Sequence, residues 1–353
     1  IILGVSSIGS GKKVGRIGLK TLCYYLSTSL LAIITGLFLS NLIKPGIGAN
    51  IVQNTSFDVS KIQTPGSTLD ILIRMIPTNP FQALANGDML GIIFFAIFFG
   101  IVINMIDDSK SKLLKDTIDS IFNVIMKITQ IIISFAPIGV LGLMTKTVYT
   151  SGLGIFINLA QYMMTIILGL SIHLFITLPI ILFIFVRVNP IVHFQAMISA
   201  MLTAFSTSSS SATLPVTMKC IKENTGASNE VSSFVLPMGA TVNMDGTALY
   251  ECAGVLFISQ VLGVTMAIDQ QLLIIMTALL ASIGAAGIPS AGLVMIFIVT
   301  SAVGLSGPEV GIIVGAMLAI DRPLDMMRTM VNVTSDSIGA VVIAKSEGEK
   351  LYS

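Results

Sequence analysis

Asp321, Asp325, Arg328, Asn332 and Asp336 stand at offsets of 0, 4, 7, 11 and 15. On a helix turning about 100° per residue they share one stripe about 80° wide. Their neighbours, including Met330, Val331, Val333, Ile338, Val341 and Val342, are apolar. A charge at bilayer depth costs about 3 kcal/mol even on the mild insertion scale. Such a stripe must therefore face a cavity, an ion or other charges. Asp325 and Arg328, three apart, can form an internal ion pair. They can equally hold a zwitterion, Asp325 taking an ammonium and Arg328 gripping a carboxylate with its fork. Asn332 and Asp336, about a turn apart, add a cluster of oxygens.

A second polar run, Thr241-Val242-Asn243-Met244-Asp245-Gly246-Thr247, interrupts an apolar stretch. Gly246 weakens a helix there, and Asn243 and Asp245 compete with it through their side chains. An unwound turn would free backbone carbonyls beside carboxylate and amide oxygens, a hard environment suited to a small dehydrated cation. A buried Asp245 neutralised by a proton or an arginine is the alternative.

These groups need elements to position them. Residues 189–205 are apolar, followed by the hydroxyl run Ser206-Thr207-Ser208-Ser209-Ser210-Ser211, and 212–220 are apolar again. About 15 helical residues rise only ~22 Å, too little to cross a bilayer. This predicts a re-entrant hairpin with a hydroxyl tip. Residues 272–283 and 293–305 flank Gly284-Ala285-Ala286-Gly287-Ile288-Pro289-Ser290-Ala291-Gly292 and predict a second hairpin from the opposite face. Paired interrupted segments are the sequence sign of a transporter with inverted repeats. Irregular backbone at that depth is tolerated only around a polar cavity.

The composition agrees. The chain is 54% hydrophobic and 10% charged, with a mean hydropathy of +0.93, too apolar for a soluble domain of this length. Apolar runs over 21–43, 89–106, 128–144, 155–186, 231–262, 272–305 and 310–344 are membrane-segment candidates. Residues 50–88 read as a polar loop. Of the 19 Lys and Arg residues, 12 fall in one alternating set of loops and 4 in the other, which predicts a cytoplasmic C-terminus. A net charge of +1 makes no case for nucleic acid. Residues 1–7 read as the end of a helix already under way, so upstream sequence is expected.

Ser208-Ser209-Ser210-Ser211-Ala212-Thr213-Leu214-Pro215, Asn243-Met244-Asp245-Gly246-Thr247 and Asp325-Met326-Met327-Arg328-Thr329-Met330-Val331-Asn332 closely resemble motifs of the dicarboxylate/amino acid:cation symporters, which include the excitatory amino acid transporters and prokaryotic glutamate and aspartate transporters. The resemblance covers essentially the whole chain. It implies an all-α multi-pass membrane protein of the glutamate-transporter-like fold, truncated at the N-terminus by the first helix and most of the second. It further implies a homotrimer working as an elevator in the cell inner (plasma) membrane. Residues 1–110 would hold scaffold-side and peripheral helices, with the 21–43 helix belonging to the transport domain. Residues 111–187 would supply two further membrane helices. Residues 188–353 would form the transport core, with hairpins at 188–223 and 267–305, an unwound helix at 228–262 and the last helix at 308–346.

The same resemblance assigns the substrate site to Asp325 (ammonium), Arg328 (side-chain carboxylate), Thr329, Asn332, Thr247 and backbone of Ser209, Ser210, Ile288 and Gly292. One sodium site would use Asp336 and Asn332 with carbonyls of Gly239 and Asn243. A deeper one would use Asp245, Asn243, Thr28, Ser29 and the Tyr25 carbonyl. A third would be capped by carbonyls of Thr241, Ser282, Ile283 and Ala285. Glu251 matches a proton-carrying glutamate of the animal members. An arginine of the archaeal first hairpin is replaced by Ser208, and one that follows the substrate aspartate in animal members by Met326. Arg322, about a turn below Asp325, is the candidate substitute.

The expected function is uptake of L-glutamate or L-aspartate driven by Na+, with H+ as a candidate second coupled ion and no resident cofactor. A C4-dicarboxylate would leave Asp325 unpaired, and a neutral amino acid would leave Arg328 unpaired. A channel for anions is the competing class. No Ser–Lys, His–Glu or Asp–Asp pairing suggests an enzyme. Cys23, Cys220 and Cys252 are widely separated and read as small apolar residues. Gly9-Ser10-Gly11-Lys12-Lys13 lacks the spacing of a phosphate loop. His173 and His193 read as buried or interfacial structural residues.

Overall fold

The computed structural model of the protein describes residues 2–6, 12–49, 51, 76–86, 89–134, 138, 141, 142, 145, 149, 155–284 and 290–352. Every regular element among them is helical. In chain order these are α1 (Ile2–Ser6), α2 (Lys12–Ile43), α3 (Pro80–Asn86), α4 (Met89–Ile103), α5 (Asp108–Ser134), α6 (Ile155–Ile172), a π-helical turn (His173–Thr177), α7 (Leu178–Val186), α8 (Pro190–Thr207), α9 (Ser210–Asn224), α10 (Asn229–Val242), α11 (Asp245–Val261), α12 (Ile268–Gly284), α13 (Ala291–Ala302) and α14 (Pro308–Ser346).

At the centre stands α11, packed by α2, α6, α12, α13 and α14. Its residues are buried without interruption from Asp245 to Ser259, which is why it is apolar on every side rather than striped. Polar side chains set where the surrounding helices start. Asn189 accepts the Ile191 N–H ahead of Pro190. Ser209 Oγ accepts from Ala212 and Ser228 Oγ from Val231, each opening the next helix. Between α8 and α9 the chain turns on Ser208 in the left-handed region (φ 52°) and extended Ser209. The two helices pack on each other and on α14. Likewise α12 and α13 lie against each other, and Ser290, also left-handed (φ 61°), opens α13.

Several expectations change. Of the seven apolar runs, Arg16–Ile43 and Ile157–Val186 are the helical stretches among the described residues long and apolar enough to cross a bilayer. Breaks at the polar turns shorten others, and α14 runs for 39 residues with its buried charges in the middle. The helix expected over 128–144 begins instead at Asp108. Its first turns carry Asp and Lys on one side, which a hydropathy window averages away. Within the 50–88 loop, residues 80–86 are helical because Asn79 Oδ1 accepts the N–H groups of Phe81 and Gln82 at 3.0 and 3.2 Å, ahead of Pro80. The 155–186 run is one stretch with a π turn inside it, just before Pro179. Exposed Phe175, Ile180, Phe183, Ile184 and Phe185 along it form an outer apolar face suited to lipid.

The end of the chain fastens the foot of α14 on two sides. Glu347 accepts hydrogen bonds from Arg16 and from Lys20 Nζ (2.7 Å), tying α14 to α2. Glu349 accepts from Ser228 N and Oγ at 2.7 and 2.6 Å, and the Tyr352 N–H donates to Thr225 O at 2.8 Å. Tyr352 OH also meets His193 Nδ1 at 2.5 Å, and His193 Nε2 meets Ser337 Oγ at 2.9 Å. Both histidine nitrogens are therefore used structurally, as the sequence suggested for His193.

Hydrogen bonds from Lys20 and Arg16 hold the Glu347 carboxyl below the usual carboxylate range. A depressed folded-state pKa stabilises the fold above the unfolded value and is lost as pH falls through the folded value. Glu347→Gln should lower the melting temperature of the detergent-purified protein at pH 7. The gap between variant and parent should close as the medium is acidified below the ordinary glutamate range, as read by thermal unfolding at stepped pH.

Candidate functional site

The stripe on α14 faces inward as its spacing requires. Asp321, Asp325, Arg328, Asn332 and Asp336 are all buried, Arg328 with 1% of its surface exposed. The guanidinium sits between two acids, Nη2 donating to Asp325 Oδ1 at 2.8 Å and standing 3.0 Å from Asp321 Oδ1. Its Cζ lies 3.8 Å from the centroid of the Tyr250 ring, a cation–π contact. Nε and Nη1 have no hydrogen-bond partner among the described residues. The remaining Asp325 oxygen, Oδ2, accepts the Ser290 N–H at 2.9 Å. Start of α13 and middle of α14 are thereby joined. Gly292 stands next to the guanidinium, since a Cβ there would lie 3.1 Å from Nη1. Arg322, by contrast, is exposed. Six residues on, Arg328 is turned about 120° away from it, so Arg322 does not supply the absent second arginine. Asp321, on the inner face, is the residue that joins Asp325 and Arg328 instead.

One turn along, Asn332 Oδ1 accepts the Gly246 N–H at 2.7 Å, while its Nδ2 reaches Thr247 Oγ1 at 3.3 Å and Met244 Sδ at 3.7 Å. Thr329 Oγ1 donates to the Asp325 carbonyl at 2.8 Å. Substrate candidates Asp325, Arg328, Thr329, Asn332, Thr247 and Gly292 thus form one neighbourhood. Ser209 and Ser210 lie at the start of α9, and the described hydrogen bonds of Ser209 stay within that turn. Ile288 lies outside the described residues, as does Ala285.

The expected break falls at Asn243 (φ −98°, ψ 96°) and Met244 (φ −124°, ψ 57°), between α10 and α11. Gly246 is not part of it. It is a buried residue inside α11 where a Cβ would lie 2.9 Å from the Arg328 carbonyl oxygen. Its role is to let α11 and α14 touch backbone to backbone, not to loosen the helix.

The break directs two oxygen clusters inward. In the first, Asn243 Nδ2 donates to Asp336 Oδ1 at 2.9 Å, and Gly239 is so close that a Cβ there would have to displace the Asp336 carboxylate and the Tyr25 hydroxyl. Asn332, expected there too, bonds to Gly246 and Thr247 instead. In the second, Ser29 Oγ donates to Asp245 Oδ1 at 2.6 Å. Thr28 Oγ1 lies 3.1 Å from that oxygen, 3.1 Å from the Tyr25 carbonyl and 3.4 Å from Asn243 Oδ1. All five residues expected at the deep site are brought together. One hydroxyl proton cannot serve three acceptors, and a cation among them would satisfy the surplus. Of the third set, Thr241 is exposed, with Oγ1 turned back to Met238 O at 3.0 Å, Ser282 and Ile283 are buried on α12, and Ala285 lies outside the described residues.

Four residues of this region had no assigned part: Asp321, Tyr250, Ser335 and His173. Ser335 Oγ donates to Asp245 Oδ2 at 2.6 Å and accepts from Asn243 Nδ2 at 3.0 Å. His173 Nε2 lies 3.1 Å from the same Oδ2. Glu251 is fully buried beyond them, with no hydrogen-bond partner for either oxygen among the described residues.

A model of the sodium:dicarboxylate symporter family matches residues 1–346. Excitatory amino acid transporter 3 of Mus musculus is 37% identical over 99% of this chain and 76% of its own length. Its Homo sapiens counterpart is 37% identical over the same shares. Excitatory amino acid transporter 1 of Ambystoma tigrinum is 34% identical over 100% of this chain and 74% of its own length. Helical architecture, buried charge and these likenesses define a multi-pass membrane transporter, not an enzyme. The chain belongs to the sodium:dicarboxylate symporter family.

Because Gly246 meets backbone rather than a movable side chain, Gly246→Ala should destabilise the protein by about 1–3 kcal/mol through overpacking. Thermal unfolding in detergent would measure it, and an unchanged melting temperature would contradict the close approach of α11 and α14.

Proposed function

We propose that this protein takes up L-glutamate or L-aspartate by symport with Na+. The observation that carries the reading is the buried Asp325–Arg328 pair, in which two nitrogens of Arg328 have no hydrogen-bond partner among the described residues. An acidic amino acid complements both members: its ammonium replaces the guanidinium beside Asp325, and its side-chain carboxylate takes the free donors of Arg328. Thr329, Thr247, Asn332 and the backbone at Ser209, Ser210, Ile288 and Gly292 would complete the site. Electrostatics favours co-transport. Asp245, Asp321, Asp325, Asp336 and Glu251 are buried among helices whose one buried guanidinium, among the described residues, is Arg328. Carboxyls outnumber it there, and bound cations or protons would offset the surplus. Asp336 with Gly239 and Asn243, and Asp245 with Thr28, Ser29, Asn243 and the Tyr25 carbonyl, are the oxygen sets suited to Na+. A third set at Thr241, Ser282, Ile283 and Ala285 has only the family resemblance behind it.

The carrier would work as a homotrimer in the cytoplasmic membrane with its C-terminus inside. Residues 188–353 and the helix over 21–43 would move as a transport domain against the remaining helices, the α8–α9 and α12–α13 pairs re-entering the bilayer from opposite faces. Glu251, buried with no hydrogen-bond partner for either oxygen among the described residues, is suited to carry a proton, since a bare carboxylate there would lack hydrogen bonds.

Radiolabelled aspartate uptake into proteoliposomes, with sodium and proton gradients imposed separately, tests the reading. Accumulation should require inward sodium and be competed by glutamate. Competition by succinate as strong as by glutamate would favour a plain dicarboxylate, and currents without accumulation would favour a channel. Arg328→Cys should abolish acidic amino acid uptake, and retained aspartate transport would remove that side chain from the site. Glu251→Gln should flatten the pH dependence of uptake, and an unaltered pH profile would end its proton role.

A further inference from the structure

The deep oxygen cluster includes one side chain that the carrier reading leaves without a task. His173 is fully buried and opens the π turn between α6 and α7. The wider π turn departs from the 100° step of its helix and re-aims the side chains that follow, a device found often at functional sites. Here the ring meets Asp245 on α11, with Nε2 3.1 Å from Oδ2.

The two oxygens of Asp245 have different neighbours. Oδ1 looks into the cluster of Thr28, Ser29, Asn243 and the Tyr25 carbonyl. Oδ2 looks away from it and is held from two other elements, by Ser335 Oγ of α14 at 2.6 Å and by His173. A carboxylate accepts, so the proton at this contact sits on Nε2. Nδ1 has no hydrogen-bond partner among the described residues. With an acceptor at Nε2 and none at Nδ1, the Nε2–H tautomer places the ring's donor where an acceptor stands.

We propose that His173 is a positioning residue for the deep cation: its Nε2–H, with Ser335, clamps Asp245 Oδ2 and thereby aims Oδ1 at the bound Na+. The imidazole is not itself a ligand, because it faces the oxygen turned away from the cluster. Groups that orient metal-binding carboxylates are commonly worth ~10–100-fold in affinity. This inference rests on reading the Thr28–Asp245 cluster as a sodium site.

Two variants separate clamping from packing. His173→Gln keeps a terminal N–H at about the position of Nε2, and His173→Met fills similar space without a donor. The primary readout is binding: the half-saturating NaCl concentration for thermal stabilisation of the detergent-purified full chain, at ionic strength held constant with choline chloride. Sodium dependence of aspartate uptake in proteoliposomes is the second readout. His173→Met should raise the half-saturating sodium concentration by ~10–100-fold, with a melting temperature in choline close to the parent's. His173→Gln should restore it to within about threefold of the parent. Equal impairment of both variants, or unaltered sodium binding by His173→Met, overturns the proposal. Where His173→Met does not fold, folded His173→Gln with tenfold or more weakened sodium binding overturns it alone. A parent protein that sodium does not stabilise beyond choline removes the sodium-site reading and the inference together. A sodium-stabilised parent with indifferent variants removes the inference only.

Discussion

Charge removed from water must be matched by charge or by hydrogen bonds, and in this protein that requirement governs the arrangement of the inner helices. Arg328 could not occupy the middle of α14 without Asp321 and Asp325 on the same face and the Tyr250 ring beneath it. Those partners in turn fix their neighbours. The Ser290 N–H is drawn to Asp325, and the glycines at 246 and 292 remove the side chains that would block the approach. The break between α10 and α11 answers the same requirement one layer deeper. A continuous helix would direct Asn243 and Asp245 about 200° apart, whereas the non-helical backbone at Asn243 and Met244 lets both join one polar cluster.

On the proposed reading, the Asp325–Arg328 pair bears on how cargo would be recognised. Arg328 and Asp325 already satisfy part of each other's hydrogen-bonding capacity, so a substrate gains only the difference between its own contacts and those it displaces. This penalises half-matching ligands. In that reading a molecule lacking an amine would interrupt the pair without compensating Asp325, and one lacking a second carboxylate would leave the guanidinium where it was. Selectivity then arises from the cost of an uncompensated partner as much as from attraction to the right one.

How much of this could be read beforehand depended on sequence distance. The inward stripe of α14 follows from one helical period, and all five of its members are where that period puts them. The broken helix was visible as Asn and Asp in an apolar run, although Gly246 was given the wrong part, because composition does not distinguish a helix breaker from a close contact. Arg322 was misjudged for a related reason. Closeness along the chain suggested a neighbour of Asp325, but its angular position points it outward. The partnership of Tyr25, Thr28 and Ser29 with Asp245 spans more than two hundred residues and came from family resemblance, not from any local pattern. His173, Tyr250 and Ser335 carry no local signal at all. Each is one polar residue on a helix, and only the packing of α6, α11 and α14 gives it a partner. In α3 and α5 the ends were missed because capping by Asn79 and an amphipathic first half are weaker signals than hydropathy.

The fastening at the foot of α14 has a mechanical corollary. Glu347 binds that foot to α2, while Glu349 and Tyr352 bind it to the turn between α9 and α10 and to α8. A helix anchored on both flanks cannot slide or rotate alone without severing ionic and backbone bonds together. The foot of α14 is thus tied to α2, α8 and the α9–α10 turn together, so that these elements and the charged stripe hold one another in place. Ser290, at the start of α13, meets that block at Asp325, where its N–H is held by Oδ2.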